Sequence, residues 1–206
     1  MEPLFSSLLS CSRDPQCEER KESVWVTVAH TANFPLFSFV GDILPDIILH
    51  HLQFTDQVKE EARMVVEAGT ILRNVDIETQ FMVGVHVRRT DFKEFSSFWL
   101  PDLLNETYFL EAMEYMRNKY QAVTFLVVSD DTRWARAHLL SEDVTIVTGH
   151  SEAVDLAIMA NCQAGIVDYG TYKVWGGILN GGEVVISNRT FRDARWAADY
   201  LGWTYI

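Results

Sequence analysis

Met82-Val-Gly-Val-His-Val87 and Val123-Thr-Phe-Leu-Val-Val128 are short apolar runs rich in β-branched residues, and three more follow at residues 144–147, 165–167 and 183–186. Each run reads as a strand, and each gap between them carries helical periodicity. In the first gap, residues 106–120, Phe109, Met113, Met116 and Tyr120 fall on one helical face. Helices are expected also over 132–140, 152–161 and 171–179. The run at 123–128 is apolar almost throughout, the pattern of a strand covered on both faces of a parallel sheet. Five strands joined by four crossover helices predict a doubly wound, mainly parallel α/β domain. Such sheets bind ligands beyond the carboxyl ends of their strands, beside helix N-termini. Residues 86–91, 129–131, 149–155 and 168–171 are therefore where chemistry is expected.

Upstream the pattern is less regular. Residues 1–23 are polar and carry Pro3 and Pro15, residues 24–29 alternate like a short strand, and residues 33–52 are broken by Pro35, Gly41 and Pro45. A helix is expected over 56–68, capped by Thr55 or Asp56, with Val58, Ala62, Val65 and Val66 on one stripe. The 206 residues hold 17 Lys+Arg against 29 Asp+Glu, a net charge of −12. That balance argues against a general nucleic-acid binder, and 48% hydrophobic residues exclude a disordered chain. A phosphate ligand would need a local basic site. Cys11, Cys17 and Cys162 show no metal-ligand spacing. Cys11 and Cys17 could pair across a short loop in an oxidising compartment, or all three could be free thiols with Cys162 buried. The sequence has no apolar run long enough to span a bilayer and no signal-peptide pattern at its start.

Four segments could carry chemistry. In Val85-His-Val-Arg-Arg-Thr-Asp91, the neighbours Arg88 and Arg89 must diverge, one toward the crevice and one into a structural pair, with Asp91 as a possible partner. A guanidinium fork suits phosphate oxygens. In Ser129-Asp-Asp-Thr132, ribose recognition or a carboxylate pair for a metal competes with plain helix capping. Asp155 opens an apolar helix, where it either complements the helix dipole or accepts two N–H bonds from a guanine base. Gly170 before Thr171 makes a tight turn into a helix whose free N–H groups could hold a phosphate. Gly176 and Gly177 in that helix suggest close packing against a neighbouring backbone, and Gly181-Gly182 closes it. His50-His51 reads as surface or core histidine, because neighbours on a helix diverge. Glycine-rich nucleotide loops and a G-x-S-x-G elbow are absent from the sequence. Asn105-Glu-Thr107 and Asn188-Arg-Thr190 are glycosylation sequons, meaningful only in the secretory pathway.

Together these segments resemble the donor-binding half of the galactoside α-1,2-fucosyltransferase family over roughly residues 80–190. Gly84-Val-His-Val-Arg-Arg-Thr-Asp91 is similar to its H-x-R-R-x-D signature, with Thr90 where the family usually has Gly. Phe125-Leu-Val-Val-Ser-Asp130 with Trp134 resembles the second signature. Gly170-Thr-Tyr-Lys-Val-Trp175 through Leu179-Asn-Gly-Gly182 resembles the third, and Asn188 falls where family members also carry a sequon.

The resemblance implies a two-lobed, GT-B type glycosyltransferase whose Rossmann-like lobe binds GDP-fucose. The implied reaction is inverting, needs no metal or other cofactor, and moves L-fucose to the 2-hydroxyl of a galactose-terminated glycan in the Golgi lumen. Carried over by position, Arg88 and Arg89 neutralise the diphosphate of departing GDP, His86 and Ser129 line the nucleotide site, and Gly170 and Thr171 meet the β-phosphate. Asp155 reads guanine, and Asp91 and Glu94 are candidate bases. The expected domains are residues 81–206 for the nucleotide and residues 1–80 as a partial, acceptor-side lobe. The family's membrane anchor and an early G-N-Q segment have no counterpart in these residues. The competing reading is a nucleotide-binding half-domain without turnover.

Overall fold

A computed structural model describes residues 53–71, 79–90, 103–168, 170–190 and 192–206. The expected strand at 24–29, the cysteines Cys11 and Cys17, the pair His50-His51, and the candidate bases Asp91 and Glu94 lie outside the described residues. The chain divides into two compact units, Met1–Val58 and Lys59–Ile206. At the end of the first, Thr55 Oγ1 accepts the Val58 N–H at 3.4 Å, so Thr55 caps the helix α1 (Asp56–Ile71). On that helix Arg63 bridges Glu60 at 2.6 Å and also pairs with Glu67, one turn to either side.

The second unit is built as β1 (Phe81–Val87), α2 (Glu106–Lys119), β2 (Val123–Ser129), α3 (Thr132–Leu139), β3 (Val144–Ile146), α4 (Glu152–Asn161), β4 (Ala164–Val167), α5 (Thr171–Asn180), β5 (Glu183–Ile186), α6 (Arg192–Leu201) and β6 (Thr204–Tyr205). The six strands form one sheet in the order β3-β2-β1-β4-β5-β6, and every pairing is parallel. The fold is the doubly wound α/β arrangement expected from the strand–helix alternation. One strand and one helix exceed the expectation. The two-residue β6 is too short to register as a periodic run, and it joins the edge only where Thr204 and Tyr205 pair with Val185 and Ile186.

Strand periodicity sorts the side chains onto two faces. Val83, Val85, Val87, Phe125 and Val127 face α2 and α3, where Phe109, Ala112, Met113, Met116, Ala135 and Leu139 complete a buried core. The predicted face of α2 is thus the packed one, and Tyr120 ends it by stacking on Phe81 with ring centroids 3.9 Å apart. The opposite face carries Gly84, His86 and Gly165, over which α4 and α5 lie. Gly84 lets α4 come down on the sheet: a Cβ there would stand 2.7 Å from Met159 Sδ and 3.3 Å from its Cα. In α5, Gly177 is pressed against the Trp203 indole rather than a neighbouring backbone, and Gly176 has ordinary clearance. Gly182, just past the helix, presses against backbone at the Gln163 carbonyl oxygen.

Cys162 is a buried thiol whose S–H donates to the Ile158 carbonyl at 3.2 Å, and burial pushes it up to about 12. Among the described residues no helix is long and apolar enough to cross a membrane.

Candidate functional site

The strand order reverses between β1 and β4, whose carboxyl ends lie side by side. Loops leaving such a seam diverge and open a crevice, the usual ligand position in this architecture. His86 comes from β1 and Asp168 directly follows β4. The His86 Nδ1 and Asp168 Oδ1 atoms are 2.7 Å apart, and both side chains are buried. Asp168 Oδ2 accepts the Arg88 N–H at 2.5 Å. One carboxylate therefore fixes both the imidazole and the backbone that carries the first arginine. The β4 end is itself held by Tyr108, whose O–H donates to the Val167 carbonyl at 2.6 Å.

The neighbouring arginines part company. Arg88 reaches the N-terminus of α5: a Cβ added at Gly170 would lie 3.2 Å from its Nη1. Gly170 sits at φ +99°, ψ 163°, a region that residues with side chains rarely adopt, so its conformation calls for glycine. The first N–H groups of α5 and the Arg88 guanidinium thus converge on one spot, which suits an anion. Thr171 opens that helix.

Arg89 turns the other way. Its guanidinium carbon lies 3.9 Å from the Trp134 ring centroid, and Nη1 donates to the Leu104 carbonyl at 3.0 Å. His138 also stacks on that indole, 4.6 Å between centroids. The divergence expected of adjacent residues is present, and Arg89's partners are an aromatic face and a carbonyl.

The two aspartates after β2 also have separate tasks. Asp130 accepts the Arg89 N–H at 2.8 Å and the Thr90 N–H at 2.9 Å, and takes the Thr90 hydroxyl at 2.6 Å. Asp131 caps α3 by accepting the Trp134 N–H at 2.9 Å, and Ser129 Oγ accepts the Asp131 N–H at 3.0 Å. Capping therefore accounts for Asp131, while Asp130 is what shapes the loop carrying both arginines. Among the described residues no three His, Cys, Asp or Glu side chains cluster as a metal site.

A second carboxylate stands across the crevice. Asp155, in the first turn of α4, has Oδ1 2.8 Å from His150 Nδ1. At that distance the two side chains form a close pair, and His150 Nε2 is buried without any hydrogen-bond partner among the described residues. Burial raises Asp155 to about 6, His150 and His86 pull it back, and Glu152 adds to the rise. Tyr172, on the first turn of α5, donates its O–H to the Glu152 carbonyl and sets its ring 5.4 Å from that of His86. Burial and the neighbouring acids push the Tyr172 phenol upward. The Tyr172 bond ties the N-termini of α4 and α5 together over the seam. Beneath them Lys173 is fully buried, and burial lowers its ammonium to about 7 against the opposing pull of Asp168.

Of the residues singled out in the sequence, His86, Arg88 and Gly170 meet at the β1–β4 seam, and the field of His86 reaches Asp155. Ser129 and Arg89 lie toward β2 and α3. Asp168, His150, Tyr172 and Lys173 were not singled out individually. Asp168 had a visible signal, an acid directly after a buried strand, whereas His150 had none beyond its place before α4.

A model of glycosyl transferase family 11 matches residues 33–206. Galactoside alpha-(1,2)-fucosyltransferase 1 from Leontopithecus chrysomelas is 31% identical over 160 residues, which cover 74% of this chain and 44% of that one. The protein of the same name from Mico humeralifer is 32% identical over 162 residues, covering 71% and 44%. The chain thus spans less than half the length of these relatives. A crystal structure of POFUT1 in complex with GDP is similar at a TM-score of 0.45 and 14% identity, over 64% of this chain and 46% of that one. By the family match over residues 33–206, the chain belongs to glycosyl transferase family 11.

Proposed function

We propose that this chain carries the donor-binding part of a fucosyltransferase that moves L-fucose from GDP-fucose to the 2-hydroxyl of a terminal galactose on a glycan. The observation that carries the reading is Arg88 lying against Gly170 at the N-terminus of α5, beside the His86–Asp168 pair. A cation, a row of helix N–H groups and a buried hydrogen-bonded pair at a parallel-sheet seam make a diphosphate site. Asp155, at the neighbouring helix start, supplies an acceptor for the N1–H and 2-amino groups of guanine. The family membership and the names of the relatives support fucose as the sugar and the galactose 2-hydroxyl as acceptor.

In this reading the galactose O2 attacks the anomeric carbon of fucose on the face opposite GDP. The bond to the β-phosphate oxygen breaks, inverting the anomeric centre, and the O2 proton passes to a base. Asp91 and Glu94 are the proposed bases. Arg88 and the α5 N-terminus stabilise the charge that builds on the departing diphosphate, which lowers the barrier without a metal. An oxocarbenium-like transition state asks little of the base. Arg89 supports the site from behind by fixing the loop, and Ser129 does so through the turn after β2. Residues 81–206 form the nucleotide-binding domain, residues 1–80 belong to the acceptor side, and the Golgi lumen is the place of action. Asn105 and Asn188, both exposed, are then available for glycosylation.

Titration of GDP and ADP into the 206-residue chain by calorimetry tests the donor site. GDP-selective binding that is lost in Arg88→Ala supports it, and transfer to galactosides from GDP-fucose then tests the reaction. GDP binding without transfer would favour a nucleotide-binding half-domain. A folded chain that ignores GDP would overturn the reading.

A further inference from the structure

We propose that His150 is a base-specificity residue: its imidazole donates a hydrogen bond to the 6-oxygen of guanine while Asp155 takes the N1–H and 2-amino groups. The inference rests on the GDP reading and adds to it a second recognition group.

His150 lies in the turn between β3 and α4, after Gly149 at φ +90°, and its side chain is only 5% exposed. Both ring nitrogens are buried without a hydrogen bond. Leaving a buried donor unmade costs about 1–3 kcal/mol, so such a group calls for an explanation, and a ligand atom is one. Asp155 Oδ1, 2.8 Å from the imidazole, is buried and unbonded as well. His150 Nδ1 and Asp155 Oδ1 therefore stand as a close pair without hydrogen-bond alignment, and His150 Nε2 faces no protein acceptor among the described residues. They sit at the first turn of α4, which the Tyr172–Glu152 bond ties to the phosphate-facing start of α5.

The order of groups on guanine matches this pair. Its edge presents the 2-amino donor, the N1–H donor and then the O6 acceptor. A carboxylate spans the two donors, and an adjacent N–H meets the acceptor. Adenine presents a ring-nitrogen acceptor and an amino donor at the corresponding places, so both contacts become repulsive. Uracil offers one N–H between two oxygens and leaves one carboxylate oxygen unbonded. A site built to hydrogen-bond a substrate group rejects analogues that lack it, because its own buried groups are then left unpaired.

The test is calorimetric titration of the full chain with GDP, IDP and 6-thio-GDP, in the wild type and in His150→Ala and His150→Gln. Sulfur is a weak acceptor, so the wild type should bind 6-thio-GDP about tenfold less tightly than GDP, a hydrogen bond's worth of affinity. His150→Ala should lose about tenfold for GDP and close the gap to 6-thio-GDP. His150→Gln, with an amide donor, should keep part of it. IDP, which lacks only the 2-amino group, should be weakened equally in all three proteins. A wild type that does not distinguish GDP from 6-thio-GDP overturns the inference even if neither variant folds. So does a His150→Ala variant that weakens both ligands equally, the signature of a packing role. Both of those outcomes leave the GDP reading standing, whereas a wild type that binds none of the guanine nucleotides overturns the two together.

Discussion

Asp168 joins the two sides of the seam: its Oδ1 lies 2.7 Å from His86 Nδ1 while its Oδ2 receives the Arg88 N–H. The carboxylate is only 2% exposed, so those contacts take the place of water around its oxygens. Asp168→Asn keeps the shape but removes the charge and turns half of the acceptor into a donor facing a donor. Charge-assisted bonds of this kind contribute about 1.5–3 kcal/mol each. The variant should unfold at lower denaturant by about 2–3 kcal/mol and bind GDP at least tenfold less tightly. Chemical denaturation and calorimetry on the same preparation measure both.

The two arginines should separate cleanly. Arg88→Ala removes the cation at the α5 N-terminus and should weaken GDP by roughly 30-fold or more. Arg89→Ala removes a stack on Trp134 and a bond to the Leu104 carbonyl, together worth about 1–2 kcal/mol of stability. Its effect on GDP should be smaller than that of Arg88→Ala. Equal loss of GDP in both variants, with unchanged stability, would place Arg89 at the phosphate instead.

Asp155 makes binding and stability run in opposite directions with pH. Burial raises its folded value to about 6, above the unfolded value near 4. Between pH 4 and 6 the folded chain holds a proton that the unfolded chain has lost, so stability falls as pH rises through this window. Guanine binding needs the carboxylate ionised and should strengthen over the same rise. One unit below 6 about a tenth of the sites are ionised, so GDP should bind about tenfold more weakly at pH 5 than at pH 7. Titrations across pH 5–8 check this, and Asp155→Asn should flatten the profile. The same variant should leave the empty chain as stable at pH 7 or more so.

Far from the site, Glu183 gathers four donors at the start of β5. Its oxygens receive Lys119 Nζ at 2.7 Å, Tyr120 Oη at 2.7 Å, Tyr115 Oη at 2.8 Å and Thr204 Oγ1 at 3.0 Å. Burial pushes the carboxyl up, but these bonds outweigh it and hold it down at about 2. A lowered acid contributes stability that is full above its unfolded value near 4 and fades as pH falls toward 2. Glu183→Gln should cost about 2 kcal/mol at neutral pH and remove that part of the acid sensitivity. Denaturation midpoints at pH 7 and pH 3 would show the difference between variant and wild type shrinking.

The sheet was legible because its strands are uniform apolar runs and its helices carry one apolar face, so periodicity alone located β1 to β5 within a residue or two. The short strand β6 escaped because two residues hold no period. At the site, residue type marked Arg88 and Gly170, since a cation at a strand end and a glycine at a helix start each have a local signature. The pairing of His86 with Asp168 did not show, because it joins residues 82 positions apart that only strand order makes neighbours. His150 was silent because nothing in its residue type or spacing shows that its ring is buried or that Asp155 comes within 2.8 Å of it. The separate tasks of Asp130 and Asp131 likewise depend on which way each carboxylate points after the strand ends.

Gly176 and Gly177 test how closely α5 is packed, because adjacent positions should respond with opposite signs. Alanine is favoured over glycine in a helix interior by about 1 kcal/mol, a gain available to both. At Gly176 an added Cβ would meet Leu156 and Met159 at 3.6 Å, ordinary contact, so Gly176→Ala should be neutral or stabilising by up to about 1 kcal/mol. At Gly177 the same atom would lie 2.7 and 2.8 Å from two carbons of the Trp203 indole, with Val184 Cγ1 at 3.3 Å. The indole is buried and rigid and cannot swing aside as a flexible chain end would, so overpacking of about 1–3 kcal/mol outweighs the helix gain. Gly177→Ala should therefore lower stability by about 1–2 kcal/mol and change the Trp203 fluorescence. Thermal melts of the two variants side by side decide it, and a stabilised Gly177→Ala chain would mean that α6 and β6 yield to α5 rather than clamp it.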